Sequence, residues 1–331
     1  MQFSVVIPLF NKAPYITRAI GSVLNQTVQD FEIIVVDDGS TDGGGDIVAE
    51  IRDSRIRLVQ QENAGVSAAR NKGIEVSKAD HIAFLDADDE WKPGFLSAIR
   101  DLHCQYPNCG AYATSYDILD PNMILSHPSI KGIPSKKWAG IIPNFFCIVQ
   151  STKPFCSSSI VIPKKVLNHI NGFPVGVKRG EDKITWVKIG VYYQIAFNSC
   201  RLSIYHREAE NRVCNTIPSD YKKTEFELFL QSILQNSTLP HETKKNLHDY
   251  YSLALLSRVK NSLLAGQKDY AIRYLKEVKG TRKHFLQWSF LLVLTLFPKK
   301  FLAIIIVIYF KIAFAVRSFW MWVLKIRVQT K

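Results

Sequence analysis

No C-x-x-C pair occurs among the six cysteines (Cys104, Cys109, Cys147, Cys156, Cys200, Cys214). That leaves neither a zinc cage nor a thioredoxin-type redox motif and points to a reducing compartment. The first residues carry no basic lead and no cleavable apolar stretch, so the N-terminal part is expected to stay in the cytoplasm. No Gly-rich basic loop follows the first apolar run; Pro8-Leu-Phe-Asn-Lys-Ala13 stands there instead, which argues against a phosphate loop of nucleotidyltransferase type. No apolar run reaches the roughly twenty uninterrupted residues of a transmembrane helix. Acid is almost missing from the tail, where twelve Lys or Arg follow Tyr270 against one acid, Glu277. Most of the formal charge of +13 therefore sits there, and residues 1–269 are close to neutral. The same stretch is the most apolar, so its expected partner is an anionic lipid surface and not nucleic acid.

What is present in the first hundred residues is an alternation of short apolar runs with amphipathic stretches, the pattern of parallel strands joined by helices. Val5–Ile7, Ile33–Val36, Ile56–Val59 and Ile82–Leu85 are expected as strands; Tyr15–Asn25, Gly45–Ile51 and Val66–Ser77 as helices. Asp37-Asp38 and Asp86–Asp89 fall at strand ends, and open α/β sheets bind ligands at the carboxyl ends of their strands. Carboxylates as crowded as Asp86, Asp88 and Asp89 repel one another unless a cation sits among them. Hard divalent ions such as Mg²⁺ or Mn²⁺ take oxygen ligands, commonly one or two carboxylates plus substrate phosphates. The bland alternative is an acidic turn capping the helix that starts near Pro93.

Residues from about Cys104 to Gln150 show little periodicity and read as loops. A strand is expected at Ser158–Ile162, a short helix ending near Asn171-Gly172, a polar loop Lys178–Trp186 leading into a helix, and a strand at Tyr193–Phe197. Asp220–Lys279 reads as helical, with one helix pair similar to a tetratricopeptide unit.

Four blocks in order carry a family resemblance: Phe3-Ser-Val-Val-Ile-Pro-Leu-Phe-Asn11, Ile33-Ile-Val-Val-Asp-Asp-Gly-Ser-Thr-Asp42, Asn63-Ala-Gly-Val-Ser-Ala-Ala-Arg-Asn-Lys-Gly73 and Ile82-Ala-Phe-Leu-Asp-Ala-Asp-Asp89. A fifth, Gly180-Glu-Asp-Lys-Ile-Thr-Trp186, extends it to around residue 210. Together they resemble glycosyltransferase family 2. The resemblance implies a GT-A fold (a Rossmann-like nucleotide-diphospho-sugar transferase, α/β) with a C-terminal helical extension, and an inverting transferase using a nucleotide-sugar donor, expected to be a UDP-sugar. It implies Asp88 as metal ligand, Asp86 as a contact to ribose or metal, Asp38 as acceptor of a hydrogen bond from the base, and Pro8 and Phe10 as walls of the base pocket. Arg70 falls where the family places an Arg beside the donor nucleotide, a role suited to a guanidinium. Asp182 is the implied general base, with Glu181 orienting the acceptor or the loop; a pair of helix-capping acids is the alternative. His206 is a further candidate for the metal or pyrophosphate site, although a lone His is more often a packing residue.

The expected organisation is a catalytic domain over 1–215, a helical spacer over 216–280 and basic apolar helices over 281–331. Apolar runs Phe285–Phe297 and Phe301–Val316, broken by Lys311 and Arg317 and followed by Trp320 and Trp322, suit helices at a headgroup boundary. The expected location is the cytoplasmic face of the cell membrane, peripheral or monotopic, with a saccharide or lipid-linked saccharide as acceptor in surface polysaccharide synthesis. A non-enzymatic membrane scaffold and a nucleotidyltransferase are the rival readings.

Overall fold

The computed structural model describes residues 1–134, 137–209, 222–278 and 283–297. Two compact units result, one of residues 1–217 with 228–247, the other of 218–227 with 248–331. The expected boundary at 215/216 and the apolar run from Phe301 onward lie outside the described residues.

The first unit is built on the apolar run Phe3–Leu9, which forms β1 with six of its seven side chains buried. Flanking it in parallel are β2 (Phe31–Asp37) and β4 (His81–Phe84), and β3 (Ile56–Gln60) extends the sheet beyond β2. Alternation sorts the side chains by face. Val5, Ile7, Ile33 and Val35 join the core beneath α1 (Ala13–Leu24) and α4 (Phe95–Gln105), whereas Ile34 and Val36 pack with Ala69 of α3 (Val66–Val76). Helix α1 carries Pro near its start and buries Ile16, Ala19, Ile20 and Val23, the i, i+3, i+4, i+7 spacing of one face. The short α2 (Gly44–Glu50) follows β2.

Beyond β4 the sheet turns mixed. In chain order come β5 (Glu90–Trp91), β6 (Ala111–Leu119), β7 (Leu125–Ser126), β8 (Ala139–Ile141), α5 (Phe145–Val149), a 3-10 turn at Ser157–Ser159, β9 (Ile160–Pro163), α6 (Lys164–His169), α7 (Glu181–Tyr192) and β10 (Ile195–His206). The strand order is β3-β2-β1-β4-β9-β6-β10-β5, with β7 on β6 and β8 on β10. Strand β6 is a buried central strand inside the region that reads as loops in the sequence. Ser158 and Ser159, expected in a strand, belong to the 3-10 turn that precedes it.

Helices α8 (Glu225–Leu234), α9 (His241–Ala265), α10 (Lys268–Val278) and α11 (Phe285–Leu294) complete the described chain. The helical stretch expected from Asp220 is thus broken before His241 and again at Gly266-Gln267. In the second unit, Arg258 Nε donates to both oxygens of Glu227 at 2.8 and 3.0 Å, and Trp288 Nε1 on α11 donates to the Leu275 carbonyl on α10 at 2.8 Å. Among the described residues no helix is long and apolar enough to cross a membrane.

Candidate active site

Because β1, β2 and β4 run parallel, their carboxyl ends open on one edge of the sheet, where the chain must leave each strand through a loop. The β1 and β2 loops are laced together. Asn11, at a φ of 49°, accepts the Thr41 N–H at 2.8 Å and donates its own N–H to Ser40 Oγ at 3.1 Å, and Asp42 accepts from the Ala13 N–H at 2.8 Å. This lacing leaves Phe10 47% exposed at the mouth of the edge, outside the core, with the half-buried Pro8 two residues before it.

Carboxylates and cations alternate across this edge. Lys12 Nζ lies 3.0 Å from Asp88 Oδ2, Arg70 Nη2 lies 2.7 Å from Asp86 Oδ1, and Arg70 Nη1 reaches Glu181 Oε1 at 3.3 Å. The Arg70 side chain is 3% exposed and its guanidinium carbon sits 5.1 Å from the centre of the Phe173 ring. Burial opposes its charge, yet the surrounding Asp86, Glu181 and Asp182 outweigh burial and raise its pKa above the ordinary value. The Glu181 carboxyl is pushed up by burial and then by the neighbouring Asp182 charge, with Arg70 pulling the other way. Glu181 and Asp182 form the first turn of α7, where the helix dipole favours acids. There Asp182 Oδ1 accepts the Lys183 N–H at 2.7 Å.

The structure therefore brings Arg70, Asp86, Glu181 and Asp182 together from three distant segments, with Lys12 and Asp88 beside them. Asp38 lies deeper. It is buried, and its carboxylate accepts from Gln61 Nε2 at 2.7 Å and from the Ala64 and Gly65 N–H groups at 2.9 and 2.8 Å, shaping the loop before α3. Asp37 caps the β2 turn through the Ser40 N–H at 2.9 Å. His206, at the end of β10, is buried, with Nδ1 2.9 Å from Glu208 Oε1 and Nε2 3.0 Å from Glu90 Oε1, so each ring nitrogen already faces a carboxylate. Its backbone N–H donates to Asp89 Oδ1 at 2.9 Å, and the Ser158 hydroxyl donates to Asp89 Oδ2. Asp89 is fully buried, and burial together with the Asp88 and Asp86 charges raises its pKa well above the carboxylate range. It braces the acidic loop from behind.

Sequence reasoning missed Lys12, Arg18 and Phe173. Arg18 Nη2 donates to the Asp88 carbonyl at 2.6 Å and pairs with Glu208 at 3.1 Å. Lys12 follows directly on the first block and was within reach of the motif; Arg18 and Phe173 join the site only through contacts distant in sequence.

Among the described residues no group of three or more His, Cys, Asp or Glu is arranged to hold a metal ion by itself. Asp86 meets Arg70 through Oδ1 and Asp88 meets Lys12 through Oδ2, so each carboxylate keeps one oxygen outside those ion pairs. Two hard oxygen donors fit a divalent ion that completes its shell with donor phosphates and water.

A parallel half joined to a mixed half, with acids gathered at the strand ends, is the arrangement of a GT-A fold. Residues 4–161 match the family described as Glycosyl transferase family 2. Over those residues the chain is similar to glycosyltransferases of family 2. It is 35% identical over 140 residues to the uncharacterized glycosyltransferase EpsJ of Bacillus subtilis, covering 38% of this chain and 41% of EpsJ. With an uncharacterized glycosyltransferase of Nostoc sp. the identity is 40% over 125 residues, covering 37% and 38% of the two chains. The chain thus spans about two fifths of the length of these curated relatives. Among solved structures, S. aureus TarS 1–349 in complex with UDP-GlcNAc superposes with a TM-score of 0.64 at 19% identity, covering 88% of this chain and 79% of that one, which is a likeness of fold.

Proposed function

We propose that the protein is an inverting glycosyltransferase that passes a sugar from a UDP-sugar to an acceptor hydroxyl, with a lipid-linked saccharide at the cytoplasmic membrane face as the acceptor class. One observation carries this reading: Arg70 bridges Asp86, at the end of a nucleotide-side strand, to Glu181, at the head of the helix that also holds Asp182. Donor-side and acceptor-side acids are thereby held around one cation. Arg70 and Lys12 bring positive charge close to where a diphosphate would lie; with both Nη atoms of Arg70 on Asp86 and Glu181, it acts there through its charge and by fixing those acids. Asp86 and Asp88 would hold a Mn²⁺ or Mg²⁺ ion, which when bound neutralises the charge that develops on the departing diphosphate. Asp38 supports the loop that borders the nucleotide, and the exposed Phe10 offers a ring to the base. Asp182, with Oδ1 turned to its own helix, takes the acceptor proton on Oδ2 while Glu181, fixed by Arg70, sets the loop. The UDP-GlcNAc bound by TarS makes that donor the first to try.

The test is hydrolysis of a panel of nucleotide sugars by the full chain with Mn²⁺, with and without chelator. Metal-dependent release of UDP from one donor is expected, and Asp88→Ala should lower it by about 10²-fold or more while leaving the fold intact. Turnover that Asp88→Ala leaves undiminished at limiting metal would refute the metal role. Absence of release with every donor would favour the scaffold alternative, and release of pyrophosphate from a nucleoside triphosphate the nucleotidyltransferase.

A further inference from the structure

The loop that delivers Glu181 and Asp182 is long and irregular, running from Asn171 to Gly180 between α6 and α7. Something must fix it, since a carboxylate misplaced by an ångström is a poor base. Arg70 touches its far end. The near end is held by the next residue of α3: Asn71 Nδ2 donates to the Phe173 carbonyl at 2.8 Å, and Asn71 Oδ1 accepts the Phe173 N–H at 2.8 Å. The side-chain amide thus pairs with a backbone residue as a neighbouring strand would. The fit is close enough to dictate its neighbour. Gly172 has a φ of +57°, and a Cβ there would stand 2.4 Å from Asn71 Oδ1. With its backbone pinned, the Phe173 ring lies 5.1 Å below the Arg70 guanidinium, 5.1 Å edge-on from Phe84 of β4 and 6.0 Å edge-on from Trp186 of α7.

The geometry points to Asn71 as a positioning residue for sugar transfer: through Phe173 it registers the acid-bearing head of α7 against Arg70 and Asp86. It acts on the placement of Glu181 and Asp182 and on the underside of Arg70, without meeting donor or acceptor itself. This rests on the transferase reading above.

The experiment compares the full-chain variants Asn71→Ala and Gly172→Ala with Ser4→Ala. Ser4 hydrogen-bonds Glu32 and the Ala79 N–H at the opposite end of the sheet, so its variant reports a general loss of stability. Three quantities are read: amide hydrogen exchange over residues 172–182, the affinity for UDP by calorimetry, and the saturating rate of UDP-GlcNAc hydrolysis with Mn²⁺. Both loop variants should speed exchange over 172–182 and lower the saturating rate by about tenfold to a hundredfold while UDP affinity moves less than about twofold. Ser4→Ala should do neither. Unchanged exchange over 172–182 in Asn71→Ala, UDP affinity falling in step with the rate, or the same rate loss in Ser4→Ala would each overturn the inference. The exchange arm needs no turnover, so it decides even if UDP-GlcNAc is not the donor. If Asp182→Asn leaves hydrolysis intact, the transferase reading of this loop fails; if Asp182→Asn abolishes it and Asn71→Ala does not lower it, the positioning role alone fails.

Discussion

Burying a guanidinium costs several kcal/mol unless carboxylates and hydrogen bonds offset it, and Arg70 has two carboxylates within 3.3 Å and an aromatic ring beneath it. Such an arrangement holds Glu181 still and, in the proposed reading, places a cation beside the anionic donor. Asp182 is left as the acid of the pair that is not salt-bridged to Arg70. Its replacement by Asn keeps the shape and the hydrogen bond to Lys183 while removing the basic oxygen. Asp182→Asn should therefore lower the saturating transfer rate by about 10²- to 10⁴-fold with little change in UDP affinity. Equal losses in rate and affinity would assign Asp182 to binding instead.

At the scale of elements, α3 lies tightly against β1. A Cβ on Gly73 would stand 2.3 Å from Val6 Cγ1 and 2.9 Å from Cγ2, so the helix carrying Arg70 and Asn71 lies as near the sheet as a bare glycine allows. Gly73→Ala should cost about 1–3 kcal/mol in urea unfolding, and adding Val6→Ala should recover part of it; strictly additive losses would show that the contact is not the cause. A second prediction concerns the amino end of β4. His81 packs edge-on to His103 of α4, with ring centres 4.7 Å apart, and burial first, then the His103 charge, lowers its pKa from 6.5 to about 4. Since the native state resists protonation, its stability contribution is full above about pH 6.5 and is lost as pH falls toward 4. His81→Phe should flatten that part of a Tm-versus-pH curve; an unaltered slope would exonerate His81.

The same elements show what the sequence made legible. Strands β1 to β4 could be read because they are runs of apolar residues, and the acids at their ends because charge directly after such a run is conspicuous. Strand β6 could not. It buries Thr114, Ser115 and Asp117; Thr114 donates to the Ser115 carbonyl, and Asp117 is admissible inside because it meets Lys92 at 2.7 Å and Arg201 at 3.4 Å. The partners of Asp117 are remote in sequence, so the strand's polar letters read as loop. Strand β10 was legible only in pieces, because its pairing with β6 shifts register between Asn198 and Arg201 and again before Ser203. Within the site, the acids and Arg70 carried motif signals, while Phe173, Arg18 and the Asn71 clamp exist only through tertiary contact.

For the molecule as a whole, the uneven spread of charge is the feature the candidate active site does not draw on. Residues 1–269 are nearly neutral, whereas the stretch after Tyr270 combines twelve cations with apolar runs. On α11, Phe285, Leu286, Leu292 and Val293 are exposed, as are Leu296 and Phe297 just beyond it, while Leu291 and Leu294 are buried. A helix that turns large apolar side chains outward beside Lys283 and ahead of Lys299 and Lys300 has the composition of an interfacial segment, and each cation near an anionic surface adds about 1 kcal/mol. The full chain should therefore sediment with vesicles containing anionic phospholipid, less so with neutral ones and less at high salt. Reversing Lys299 and Lys300 together to Glu should weaken the binding by at least about tenfold without altering UDP affinity. Binding that is equal on neutral vesicles and indifferent to both salt and the reversal would mean that the cations do not attach the protein to lipid, and the acceptor would then have to be sought among soluble saccharides.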